Sequence, residues 1–226
     1  PLPPSRSTAG SSRPTPAIAT TADEVRRLSD EFNHPGPIDD WTRLFAAEGH
    51  SLHLLEQADV SKTESGWLTL VPRSNAWYQE FRGEYLFKMI DGDFMTTTRV
   101  RALSRQGDFA PRITYSLAGL LVRAPRTLPQ PWQPGGENYL FHTFGVSGQP
   151  GVWQFQTMNT TGSESRIATS DGPEGDAILR VLRVGPHFVL AATKREDGDW
   201  RILWRHHRPD LPPVVQVGLM CSTDWV

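Results

Sequence analysis

From about residue 66 onward, short runs of alternating apolar and polar residues recur along the chain, each closed by turn residues. GWLTLV (66–71), EYLFKMI (84–90), FMTTTRVRA (94–102), YSLAGLLVR (115–123) and NYLFHTFGV (138–146) each predict a strand. So do VWQFQTMN (152–159), AILRVLRV (177–184), HFVLAAT (187–193), WRILWRH (200–206) and VVQVGLM (214–220). Asp-Gly at 91–92 and 197–198, Gly-Pro at 185–186 and the Gly/Pro-rich segments 125–136 and 147–151 supply the breaks. One helix is predicted in IDDWTRLFAAEG (38–49), where Trp41, Leu44 and Phe45 share a face behind Asp39 and Asp40. Many antiparallel strands in one chain bury their apolar faces only by closing a barrel or by stacking two sheets. Mixed hairpins and long crossings favour stacking, so the expected fold class is all-β, a two-sheet antiparallel sandwich with at most one short helix.

Composition narrows the function classes. The chain has 226 residues, 23 basic and 25 acidic side chains and a formal net charge of -2, which lacks the basic field that nucleic-acid binding needs. A single cysteine, Cys221, cannot form an internal disulfide, and no apolar stretch approaches the length of a spanning helix. PLPPSRSTAGSSRPTPAIATTA (1–22) offers almost nothing large and apolar to bury. Residues 1–27 are therefore expected to form an irregular tether and 28–226 a single domain. Such a tether reads either as a stalk left after removal of an export signal or upstream domain, or as a disordered end. The expected location is periplasmic or extracellular, with the cytoplasm as the alternative.

LSDEFN (28–33), SGWLTLVP (65–72), NAWYQ (75–79), GDFMTTTRV (92–100), AGLLVR (118–123), the pair 177–205 and LPPVVQVGL (211–219) resemble the concanavalin A-like lectin/glucanase jelly roll. They are most similar to its bacterial domains of unknown function, including those grouped with a yeast protein linked to enolase regulation. The resemblance implies two antiparallel sheets, one concave, with a sugar or other ligand bound on the concave face or at a loop rim. In such jelly rolls a final strand returns beside the first, whereas this sequence stops at Val226 soon after STDW (222–225). That implies either an open edge near LSDEFN, which a partner strand could fill, or an edge covered by an irregular segment.

Catalytic signatures are weak. The spaced Glu-x-Asp-x-x-Glu strand of glucanases is missing, and Glu80 and Glu84 on one strand would stand ~13 Å apart, too far for glycoside hydrolysis. Asp91 with Asp93, and Asp197 with Asp199, flank turn glycines. No catalytic residue is assigned, and a glycoside hydrolase is the third-ranked reading. His50 with His53, and His206 with His207, lack zinc-site spacing. The resemblance implies a structural calcium as a weak option, with Asp30 or Glu31 meeting Asp224. Asn159-Thr160-Thr161 matches a glycosylation acceptor.

Binding chemistry is richer. NAWYQEFRGEYLFKMIDGDF (75–94) packs six aromatic residues into twenty positions, and Trp77, Tyr78 and Arg82 precede a strand whose Tyr85, Phe87 and Met89 share a face. Rings at a loop rim stack on sugar faces while amides and guanidinium groups bind hydroxyls; the alternative is that Trp77 and Phe81 plug the end of the sandwich. Strand parity offers a second surface, a polar floor of Arg99, Arg123, His142, Gln154 and Gln156 if these converge on one sheet. Two readings follow. One is a non-catalytic carbohydrate- or ligand-binding module on a tether; the other is an assembly module that docks on a protein through an open edge or aromatic patch.

Overall fold

The computed structural model describes residues 22–107, 109–126 and 136–223. They fall into two units, one ending at Glu31 and one running from Phe32. In the first, the helix α1 (Ala22–Leu28) forms inside the stretch read as irregular tether, with Asp23 and Glu24 in its first turn and Arg26 and Arg27 in its last, the polarity that suits the helix dipole.

The second unit holds β1 (Thr42–Arg43), α2 (Leu44–Ala47), β2 (Leu55–Val60), β3 (Leu68–Pro72), β4 (Glu84–Asp91), β5 (Phe94–Arg101) and β6 (Ser116–Arg123). It continues with β7 (Tyr139–Val146), β8 (Gln154–Thr161), β9 (Glu164–Asp171), β10 (Asp176–Val184), β11 (His187–Thr193), β12 (Arg201–His207) and β13 (Val214–Ser222). Seven strands form one antiparallel sheet in the order β1-β4-β13-β6-β7-β8-β9, four form a second in the order β12-β11-β10-β5, and β2 and β3 pair as a hairpin. The protein is an all-β, antiparallel jelly-roll sandwich, with two short helices among the described residues rather than one.

Every strand predicted from alternation is present, within two residues at either end. The helix expected over 38–49 shrinks to the four residues of α2, because Thr42 and Arg43 pair with Phe87 and Leu86 of β4 instead. β13 lies between β4 and β6, so the C-terminal strand does return to the middle of the large sheet. LSDEFN forms no strand among the described residues, and the edge expected there does not exist. The long strands with one neighbour are β9 and β12 at one side and β5 at the other.

Two cores follow from strand parity. Between the sheets, Leu120, Val122, Leu140, Phe144, Phe155, Val215 and Val217 of the large sheet pack on Val100, Leu179, Val181, Phe188 and Leu190 of the small one. The opposite face of the large sheet carries Tyr85, Phe87, Leu121, Tyr139, Phe141, Met158 and Met220, joined by Leu44 and Trp77. An ordinary solvated face would carry polar groups here, so this second apolar layer requires a cover.

Candidate functional site

The cover is the segment 75–83, a strap laid over the outer face of the large sheet. Asn75 bridges to Thr223 beyond β13. The Trp77 ring then stands edge-on to Tyr139 and Tyr85, with centroids 5.1 and 5.9 Å away, and its Nε1 donates to the Glu84 carbonyl at 3.4 Å. Tyr78 and Phe81 close a tight turn by exchanging backbone hydrogen bonds of 3.2 and 2.8 Å, with Gln79 at φ 53°. The Gln79 N–H donates to Ser165 Oγ of β9 at 2.7 Å, so the strap reaches from the end of β13 to the far edge strand. Gly83 permits the crossing: a Cβ there would strike Asn75 Oδ1 and lie 2.7 Å from Trp77 Cδ1.

The aromatic run is therefore divided, with Trp77, Tyr85 and Phe87 in the core and Phe81 outside it. Trp77 is 3% exposed, whereas Phe81, which the plug reading would bury, is 53% exposed at the tip of the strap beside half-buried Tyr78. The tight turn leaves Phe81 exposed, while Trp77 is buried on the sheet and Tyr78, part-buried, packs against the same apolar cluster.

Past the tip, Arg82 enters a buried charge cluster. Arg123, at the end of β6, is wholly buried and directs its guanidinium along the sheet face. Its Nε donates to Glu137 Oε2 at 2.8 Å, its Nη2 to Glu137 Oε1 at 3.0 Å and Glu48 Oε1 at 2.8 Å, and its Nη1 to Gln216 Oε1 at 2.9 Å. Arg82 Nη1 pairs with Glu48 Oε2, and Arg126 Nη1 donates to Glu137 Oε1 at 2.8 Å. α2, the strap, β6, β13 and the approach to β7 thus meet in one network. Burial pushes the Glu137 carboxyl up, but the hydrogen bonds and charge of Arg123, then Arg126, outweigh it and hold the group below its ordinary value. Arg82 is pulled down from its ordinary value, first by burial and then by Arg123 and Arg126, with Glu137 opposing.

The expected polar floor assembles only in part. Arg123, Gln154 and Gln156 share the outer face of the large sheet, as their register through Gly119, Thr143 and Gly145 requires. Gln156 is buried and accepts from Ser147 Oγ; Gln154 is buried with its Oε1 lacking a hydrogen bond. Arg99 does not converge, because it lies on β5 in the other sheet, where it is exposed, pairs with Asp176 and lies over the Trp67 ring. His142 does not converge either. Its parity with Leu140 and Phe144 sends it between the sheets, where Nε2 lies 3.0 Å from the Ala191 carbonyl and Trp204 stands edge-on.

Sequence reasoning missed Glu48, Glu137, Arg126 and Gln216. Continuing the β7 alternation one step back from Tyr139 places Glu137 on the outer face, and this signal was present. Nothing in the local pattern marks Glu48 or Arg126, whose roles depend on where a loop ends. For the calcium option, Asp224 lies outside the described residues, Asp30 and Glu31 close the first unit, and no group of three or more metal-binding side chains occurs among the described residues. Asn159 of the glycosylation triplet lies within β8, where its Oδ1 accepts from buried Arg208 at 2.6 Å. Buried Cys221 is pushed well above its ordinary pKa, first by burial and then by Glu84, which leaves it an inert thiol.

No family model and no curated protein matches the chain. Solved structures do. A functionally unknown protein from Saccharomyces cerevisiae aligns with a TM-score of 0.58 at 18% identity, over 83% of this chain and 89% of that one. A xylan β-1,4-xylosidase from Bacillus halodurans aligns with a TM-score of 0.62 at 11% identity, over 86% of this chain and 35% of that one. The GH43B protein of a Bacteroides ovatus xyloglucan locus gives 0.61 at 15%, over 85% and 35%. The chain spans about a third of the latter two. At these identities the likeness is one of fold, and the shared fold is the β-sandwich.

Proposed function

We propose that this protein is a non-catalytic saccharide-binding module that presents its site at the tip of the strap. The observation that carries the reading is the exposure of Phe81, with Tyr78 across the same tight turn and Arg82 immediately after it. Aromatic rings stack on the apolar faces of sugars while guanidinium groups bind their hydroxyls. Support comes also from the neighbours, since the same sandwich forms about a third of a xylosidase and of a protein from a xyloglucan locus. The Pro-, Ser- and Thr-rich N-terminal stretch would then serve as the tether, in a periplasmic or extracellular setting.

The non-catalytic part of the reading has its own support. Glu48 and Glu137 accept from the same Arg123 Nη2, at 2.8 and 3.0 Å, which brings the two carboxylates close together. The guanidinium fills the gap between them, where a scissile bond would have to lie. A general acid needs a raised pKa, and that of Glu137 is held down.

Calorimetry against a panel of neutral and acidic oligosaccharides tests the proposal. Binding is expected, and Phe81→Ala is expected to lower it at least tenfold with the fold intact. Failure of every saccharide to bind would overturn the reading. A second reading, assembly on a protein partner, draws on one observation: among the described residues β9 pairs only with β8 and is mostly exposed, an edge suited to strand addition.

A further inference from the structure

Among the described residues, the ion pairs of the cluster beside the strap tip do not balance in charge. Arg82, Arg123 and Arg126 face Glu48 and Glu137, three guanidinium groups against two carboxylates. Burial of an uncompensated charge costs free energy, so the surplus must find either solvent or an anion. It cannot be placed on Arg123, which is enclosed and makes four hydrogen bonds. Arg82 and Arg126 differ. Their side chains are 14% and 17% exposed, and each makes one hydrogen bond among the described residues. A guanidinium has five N–H donors, so each keeps donors beyond that one bond, although Arg82 lies over the Phe45 ring and Arg126 against Gly136. Both lie near the same acceptor, Glu137 Oε1, Arg126 at 2.8 Å and Arg82 at 3.9 Å, which makes the two cations close neighbours.

Two adjacent guanidinium groups with spare donors and one positive charge in excess match a planar anion, which they can grip through paired N–H···O bonds. A neutral sugar would leave the surplus where it is. We infer that the module selects acidic saccharides, the carboxylate of a uronic acid being received by Arg82 and Arg126 while a neighbouring ring stacks at Phe81. The inference rests on the saccharide-binding reading above and adds the ligand class.

The test uses calorimetry on the full chain with trigalacturonic acid, its fully methyl-esterified form and a sulfated galactan oligomer. The acid is expected to bind at least tenfold more tightly than the ester, and its affinity is expected to fall as salt rises, while that of the ester does not. Arg126→Gln is expected to bring the acid to within about twofold of the ester. Arg205→Gln, on the other sheet, is expected to leave both affinities unchanged. The salt comparison needs no variant, so it decides the matter even if Arg126→Gln fails to fold. Equal binding of acid and ester, with no salt dependence, would overturn the selectivity and leave the saccharide reading standing. Tighter binding of the sulfated oligomer would overturn the assignment to carboxylate. Failure of all three, and of every neutral sugar, would remove the underlying reading itself.

Discussion

Arg123 forks onto Glu137 through two parallel hydrogen bonds, Nε to Oε2 at 2.8 Å and Nη2 to Oε1 at 3.0 Å, with both side chains fully enclosed. This contact ties the end of β6 to the start of β7 across the segment that joins them. Because Arg123 also holds Glu48 and Gln216, the same group anchors α2 and β13. The network therefore fixes the elements on which the strap rests.

Glu137→Gln leaves Arg123 buried against a neutral amide and increases the positive surplus of the cluster. Breaking a buried pair on one side costs about 3–5 kcal/mol. The urea midpoint is expected to fall accordingly, with an unchanged slope. A loss below about 1 kcal/mol would mean that solvent enters the cluster.

Trp77 and Phe81 should separate stability from binding. Trp77→Ala removes an indole packed on Tyr85 and Tyr139, and a large-to-small change of that kind in a core costs about 3–5 kcal/mol. Phe81→Ala removes an exposed ring, and a surface substitution of that kind shifts stability by about 0.5 kcal/mol at most. Thermal and urea unfolding of the two variants side by side checks both. Equal destabilisation would place Phe81 in the core after all.

Gly218 occupies the middle of β13, opposite Phe87 on one side and Leu121 on the other. A Cβ there would run into the Leu86 carbonyl oxygen and lie 2.6 Å from Phe87 Cα, both backbone atoms that cannot step aside alone. Gly218→Ala is expected to force β4 and β13 apart and to cost about 1–3 kcal/mol, as overpacking does. Hydrogen exchange should show the loss of protection concentrated in those two strands.

These cases show why the sandwich was legible in the sequence and the site only partly so. Strands buried on one face advertise themselves by alternation and those buried on both by apolar runs, as β6, β7 and β13 do. β9 was missed because nearly all its residues are exposed and so need no apolar period, and β2 because a bulge between Leu55 and Gln57 breaks its phase. Parity put Gln154 with Gln156, Arg123 with Leu121 and His142 with Leu140 within their own strands, yet could not align one strand with the next, so His142 was grouped with outer-face residues. It could not say which sheet a strand would join, and so Arg99 was grouped with residues of the other sheet. The strap was beyond reach for a different reason. Whether Trp77 or Phe81 turns inward is decided by a single left-handed residue, Gln79, and by contacts with Ser165 and Tyr139 far along the chain.

The His142 imidazole is buried between the sheets, and burial lowers its pKa from 6.5 to about 4, with nearby His206 adding to the effect and the Ala191 carbonyl opposing it. Among the described residues its Nδ1 has no hydrogen-bond partner, and Phe155, Trp204 and the Ala191 carbonyl pack around the ring. In the unfolded chain the same ring titrates near 6.5. Between these two values the unfolded state takes up a proton that the folded state refuses, so stability rises with pH across this window. It is complete above pH 6.5 and falls by roughly 3 kcal/mol as the pH drops to 4. His206, also lowered by burial, acts in the same direction. The carboxylates of Asp59, held down to about 2 chiefly by the Thr63 backbone N–H, and of Glu137 stabilise the fold above the ordinary carboxylate range and begin to lose that contribution near the bottom of this window, as they are protonated. Urea unfolding from pH 7 to pH 4 is therefore expected to show a steady loss. In His142→Leu, which keeps the volume and removes the proton site, most of that slope should vanish, leaving the smaller part due to His206. An unchanged slope in the variant would show that His142 is not the group that titrates.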